Sequence, residues 1–130
     1  MCLAKLKEFK VQSTHTDGSV EGWKVFCKSP RRKTLVGWFY SVKMKRGWNK
    51  ADTSKTISGG FEPYRSGFHI FTTYKGAVAW SCNDNGDEVV VPVYFMPEDV
   101  TTKGVQGGHN CVVASRMWIE PHDYDAAVKK

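Results

Sequence analysis

The chain has few of the features that announce a known chemistry. Its four cysteines, Cys2, Cys27, Cys82 and Cys111, stand singly, with no Cys-x-x-Cys pair and no histidine at finger spacing, so a zinc site is not expected. No uninterrupted apolar run is long enough to cross a bilayer, and Met1 to Lys7 lacks the apolar core of a secretion signal. These absences point to a cytoplasmic protein without a membrane partner, in which the cysteines serve as small buried apolar residues rather than as disulfides. A glycine-rich nucleotide loop and a nucleophile motif are missing as well, and no cofactor is expected. The residues favour a binding protein over an enzyme.

What is present is charge, unevenly placed. Residues 1–56 carry thirteen Lys and Arg against four Asp and Glu, and residues 57–130 carry six against nine, for a net charge of +6. Trp23, Phe26, Trp38, Phe39, Tyr40 and Trp48 thread the basic half, so cations come with ring faces that can stack on a planar partner. The length of 130 residues and an ordinary apolar share fit one domain with a core of its own.

Along the chain, residues 5–12 read as a strand with Lys7, Phe9 and Val11 on one face, or as a short helix. Thr16-Asp17-Gly18-Ser19 is a turn leading into a strand from Glu21 to Lys28, together a hairpin. Ser29 to Lys33 is a basic loop. Alternation from Leu35 to Trp48 puts Val36, Trp38, Tyr40, Val42 and Met44 on a core-facing side, the clearest strand by pattern. Residues 49–60 are polar and read as a mobile connection.

The run Phe68-His69-Ile70-Phe71 is β-like, and Thr72 or Thr73 caps a helix over 73–82 with Tyr74, Ala77, Val78 and Ser81 on one face. Gly76 weakens that helix by about 1 kcal/mol relative to Ala. Glu88 to Met96 is a strand covered on both faces, with Pro92 implying a bulge or an edge. A glycine-bearing loop follows at 97–109, then a strand from Cys111 to Ile119 and a polar tail over 121–130 that frays or forms a short helix. The sum is a single α+β domain, a mainly antiparallel sheet of five or six strands with one principal helix.

Two constellations carry possible chemistry. The basic set Lys28, Arg31, Arg32, Lys33, Lys43, Lys45, Arg46 and Lys50, with Trp48 as its exposed ring, suits phosphates or an acidic protein groove. Trp23, Trp38 and Trp118 are expected to be mainly buried. The second set, Tyr64, Arg65, His69 and Tyr74 with His109, frames a pocket for a phosphorylated ligand, with His69 lining it or showing at the surface; this describes a nucleotide sponge or a small enzyme. In His109-Asn110-Cys111 the His and Cys would point the same way at a strand start, a geometry that is allowed but uncommon for a catalytic dyad.

The pattern Tyr-x-x-Gly-Phe-His-x-Phe at 64–71, the short Ala-containing helix, the Val-rich strand to Phe95 and the closing Val-Val-Ala-Ser-Arg-Met-Trp-Ile resemble small accessory proteins of tailed phages, over roughly residues 60–120. The resemblance implies a phage-encoded protein of the class that includes anti-CRISPR inhibitors, whose partner is a host defence protein or its guide RNA. Acidic nucleic-acid mimicry does not fit the basic first half.

Overall fold

The computed structural model describes residues 3, 5–29, 34–36, 43–57, 63–81 and 88–129. The strands are β1 (Lys5–Leu6), β2 (Val20–Ser29), β3 (Thr34–Val36), β4 (Gly47–Lys50), β5 (Thr56–Ile57), β6 (Tyr64–Arg65), β7 (Phe68–Phe71), β8 (Glu88–Phe95), β9 (Val100–Gln106), β10 (His109–Ala114) and β11 (Arg116–Ile119). The helices are α1 (Tyr74–Trp80) and α2 (Pro121–Lys129). One sheet runs in the order β1-β9-β10-β7-β2-β8-β11-β4 with β3 beside β2, and β5 pairs with β6 in a second. Every described strand pairing is antiparallel. The fold is α+β, with more strands than the five or six read from the pattern.

β2 and β8 form the spine, in unbroken register from Val20↔Phe95 to Cys27↔Glu88. Because side chains alternate along a strand, the two faces of β2 serve two cores. Val20 and Phe26 join Ile70, Val91, Val93, Phe95, Val112, Met117 and Ile119 under α2, which contributes Tyr124 and Ala127. On the other face Val25 joins Phe71, Cys111 and Val113, covered by Ala77 of α1 and by Ile57 and Tyr64 of the small sheet. Tyr124 ties the first core together: its hydroxyl donates to Met44 O at 2.7 Å and accepts from Leu35 N at 3.1 Å. β2 and β7 approach closely at Gly22, where an added Cβ would run into Ile70 Cγ2.

Several expectations are corrected. Residues 35–48 do not form one strand: β3 pairs with β2 and bridges Lys43 through Val36, whereas β4, which opens on Gly47 at φ +86°, pairs with β11. Leu35 is fully buried while Val36 is only partly so; Met44 is buried, and Trp38, Tyr40 and Val42 lie outside the described residues. The 97–109 loop is instead a 3-10 turn, Pro97–Asp99, followed by β9. Its glycine pair, Gly107 and Gly108 at φ +60° and +82°, makes the two-residue turn into β10, where positive angles match the strand twist. The turn at 16–19 is present, with Asp17 Oδ1 accepting from Ser19 N at 2.9 Å, but the segment before it is no strand partner of β2. Only Lys5–Leu6 of the 5–12 segment is strand; Phe9 and Val11 pack on the first core.

Pro92 sits without a register shift in β8, beyond the point where β11 pairing ends at Tyr94, so its missing N–H is tolerated at a locally open edge. The 49–60 connection includes the end of β4 and all of β5, with Ile57 buried. The tail is helical as α2. Helix α1 is capped by Thr73, whose Oγ1 accepts from Gly76 N at 3.1 Å. Its buried stripe is Gly76 and Ala77, whereas Tyr74 and Val78 face solvent. Gly76 is required there because a Cβ would meet His109 Cβ at 2.9 Å. Among the described residues no helix is long and apolar enough to cross a membrane.

Candidate functional site

The sequence Gly-Trp-Asn-Lys of β4 alternates buried and exposed, so Trp48 and Lys50 share the outward face while Gly47 and Asn49 point in. Asn49 fixes the entry to the strand: its Oδ1 accepts from Lys45 N at 2.9 Å and its Nδ2 donates to Lys45 O at 2.8 Å. In β11 the same period puts Arg116 and Trp118 together, and the register sets Arg116 opposite Lys50 and Trp118 opposite Trp48. The two indoles meet edge to face with centroids 5.6 Å apart, and the Arg116 guanidinium lies 4.8 Å from the Trp48 ring. Arg116 is also held by Asp99 at 3.0 Å, which offsets its repulsion from Lys50.

The row continues across the sheet. Trp118 opposes Tyr94, and Tyr94 opposes Glu21, to whose carboxylate the phenol donates at 3.1 Å. Partial burial and this carboxylate hold the Tyr94 phenol above its ordinary pKa. His15 packs against Tyr94 at 5.1 Å, and Trp118 Nε1 donates to Glu120 at 3.1 Å. Neither helix shares a core cluster with Trp48, Trp118 or Tyr94, and Trp48 is 41% exposed. The result is an aromatic row, cationic at the Lys50 and Arg116 end and acidic at the Glu21 and Glu120 end.

Among the described residues of the basic set, Lys50 and its associated ring Trp48 lie in this row. Arg31, Arg32 and Lys33 fall outside the described residues, and Lys28 is partly buried in β2. Lys43 and Lys45 are exposed ahead of β4. Arg46 turns to α2, stacking 4.7 Å from the Tyr124 ring and pairing with Asp125. Sequence reasoning missed Arg116, Trp118 and Tyr94 as partners of Trp48. The signal was the i, i+2 spacing of Arg116 and Trp118, but only the register reveals that they meet Lys50 and Trp48. Trp23 and Trp118, expected to be mainly buried, are each partly buried, and Trp23 packs against the second core.

The second constellation does not line one pocket. Tyr64 and His69 form a buried pair, with Tyr64 Oη 2.8 Å from His69 Nε2. Leu3 N donates to the same phenol oxygen at 2.8 Å. His69, placed by the sequence in a pocket or at the surface, is wholly inside. Arg65 points outward and reaches Thr53 O at 3.3 Å. Tyr74 is 58% exposed and packs its edge on Trp23, while His109 lies against α1.

The interior around His69 carries an unexpected charge. Lys24 is 5% exposed and its Nζ donates to His69 O at 3.0 Å, next to the Trp23↔Phe71 pair that joins β2 to β7. Burial lowers the Lys24 pKa to about 8. Burial, with Lys24 beside it, lowers His69 to about 3, so the imidazole is neutral. Burial raises the Cys111 thiol to about 12, which leaves it protonated and unreactive. Among the described residues no three His, Cys, Asp or Glu side chains group as a metal site. Comparison with protein-family models, with curated protein sequences and with solved structures gave no match.

Proposed function

We propose that this protein is a non-enzymatic binding protein whose contact surface is the sheet face centred on Trp48. The observation that carries the reading is the exposure of Trp48, 41% on an outermost strand, with a cation stacked against it and another two residues along. Tryptophan and arginine dominate binding energy where they anchor an interface, and an indole with this much free area has surface left for a partner. A ring face beside Lys50 and Arg116 suits a nucleobase and its phosphate, with stacking of about 1–3 kcal/mol per base. The net charge of +6 draws such a partner from a distance. The carboxylates of Glu21 and Glu120 confine the phosphate-binding part to the β4 end of the row.

The partner favoured is a nucleic-acid-bearing assembly. The resemblance to phage accessory proteins makes it a host defence nucleoprotein, which the bound chain obstructs in the manner of an anti-CRISPR inhibitor. Capture from bacterial lysate with and without nuclease tests the partner class, and binding of the captured partner by a Trp48→Ala, Lys50→Glu variant tests the surface. The variant is expected to bind at least about fivefold more weakly, as befits one lost stacking contact. Equal affinity of variant and wild type removes the proposal.

A further inference from the structure

The aromatic row that includes Trp48 carries opposite charges at its two ends. Register fixes its order, from Trp48 on β4 through Trp118 on β11 and Tyr94 on β8 to Glu21 on β2. At a strand spacing of roughly 4.8 Å the row is about 14 Å long. Lys50 and Arg116 stand opposite each other, one side-chain step along the strands from the two indoles. Toward the other end Glu21 accepts from the Tyr94 hydroxyl and Glu120 from Trp118 Nε1, each at 3.1 Å. Both donors are neutral, so the two carboxylates keep their negative charge. Among the described residues no ion pair includes Lys50, Glu21 or Glu120, whereas Arg116 is paired with Asp99. The surface thus ends in an unmatched cation on one side and two unmatched carboxylates on the other, with rings between them.

We infer that this face docks on the same face of a second copy of the chain, in a twofold-symmetric dimer with the row reversed. A twofold contact is made by one patch with itself, so the patch has to match its own reverse. This one does. A twofold axis lying between the two faces and passing by Trp118 and Tyr94 sets the Lys50 end of each copy over the Glu21 and Glu120 end of the other. The rings of both copies then meet in the middle, where Trp48, 41% exposed in the single chain, is covered. Each contact between cation and carboxylate is made twice. The net charge of +6 opposes association, but at physiological ionic strength that repulsion is screened over about 8 Å, whereas the contacting pairs are screened much less. The dimer follows from the row itself; that it keeps the face closed until a partner displaces the second copy rests on the function proposed above.

The test is sedimentation equilibrium of the full chain over a concentration series up to about 0.5 mM, which populates even a weak dimer. Wild type is expected to show a monomer–dimer equilibrium. Lys50→Glu and Glu21→Lys are each expected to weaken it about tenfold, since each turns two symmetry-related attractions into repulsions. An equimolar mixture of the two variants is expected to associate like wild type, because in the mixed dimer the two reversed charges face each other and so do the native Lys50 and Glu21. That recovery also shows that both variants are folded. The inference is overturned if wild type stays monomeric throughout the series, or if the mixture associates no better than either variant alone. A monomeric wild type whose captured partner is still lost with the Trp48→Ala, Lys50→Glu variant removes the dimer and leaves the proposed function standing. A dimer that recovers in the mixture, with partner binding unchanged by that variant, does the reverse.

Discussion

Replacing His69 with glutamine should flatten the acid limb of the stability curve. His69 is fully buried and stays neutral to about pH 3, whereas an unfolded histidine takes up its proton near 6.5. Between those values the unfolded chain binds the proton and the folded chain does not, so stability is intact above about 6.5 and is lost as pH falls toward 3. Worked from the two constants, the loss is about 2 kcal/mol near pH 5 and about 3 kcal/mol near pH 4. That is a large part of the total stability of a small domain. A glutamine amide in this place can still accept from Tyr64 but cannot titrate, so the His69→Gln variant is expected to be about 1–3 kcal/mol less stable at neutral pH, with the His69 share of the acid loss gone. The carboxylates of Asp17 and Asp52, held below their ordinary range by the Ser19 and Ser54 hydroxyls, also cost stability as pH falls. They are common to both proteins and cancel in the difference. Urea unfolding at a series of pH values, followed by tryptophan fluorescence, measures both curves. If wild type and His69→Gln lose stability in parallel from neutral pH to about pH 4, the imidazole is not held neutral by its surroundings and the description of this interior is wrong.

Lys24→Met should remove a rise on the alkaline side. The folded Lys24 pKa of about 8 lies below the ordinary 10.5, so the wild type gains stability as pH climbs from 8, while Cys111, held protonated to about 12, works against it from about 9. The wild type is expected to gain about 1 kcal/mol between pH 7 and 9 and the variant none, by the same urea assay; an equal gain in both would mean that Lys24 titrates as an exposed side chain. Gly22→Ala should cost about 2 kcal/mol or more, because its Cβ would run into Ile70 Cγ2 and lie 3.0 Å from the Phe71 carbonyl oxygen. A thermal midpoint within a degree or so of wild type would show that β2 and β7 are not so closely packed.

The parts of the fold written in local pattern were legible. Thr73 caps α1 as its spacing indicates, and the β-branched run at 88–95 is a central strand. What failed were the places where tertiary pairing overrides local composition. Glycines at 104, 107 and 108 suggest a loop, yet Gly104 sits opposite Cys111 inside β9 and only the last two turn the chain. The alternation from Leu35 to Trp48 is continuous in sequence but is shared between strands with different neighbours. Lys24, which shares a strand face with the core residues Val20 and Phe26, went unnoticed in the sequence because lysines as a rule stay outside. In the candidate site, Trp48 was legible from its cationic neighbours, whereas Trp118 and Tyr94 belong to it only through the register of three strands.

Among the described residues, one half of the sheet has no helix or second sheet over one of its faces. On the face shared by Val25 and Tyr94, cover comes from α1 and the β5–β6 pair. A helix of seven residues is on the order of 10 Å long, about two strand spacings of roughly 4.8 Å. α1 packs chiefly on β2, β7 and β8, and so falls short of β11 and β4. Surface left over in this way would ordinarily be polar, as on the solvent side of other antiparallel sheets. Here it carries Tyr94, Trp118 and Trp48 in line, none of them fully buried, with the two indoles in edge-on contact and a guanidinium stacked on Trp48. A short helix determines that the area is open, and the rings that occupy it are the physical ground for expecting a partner there.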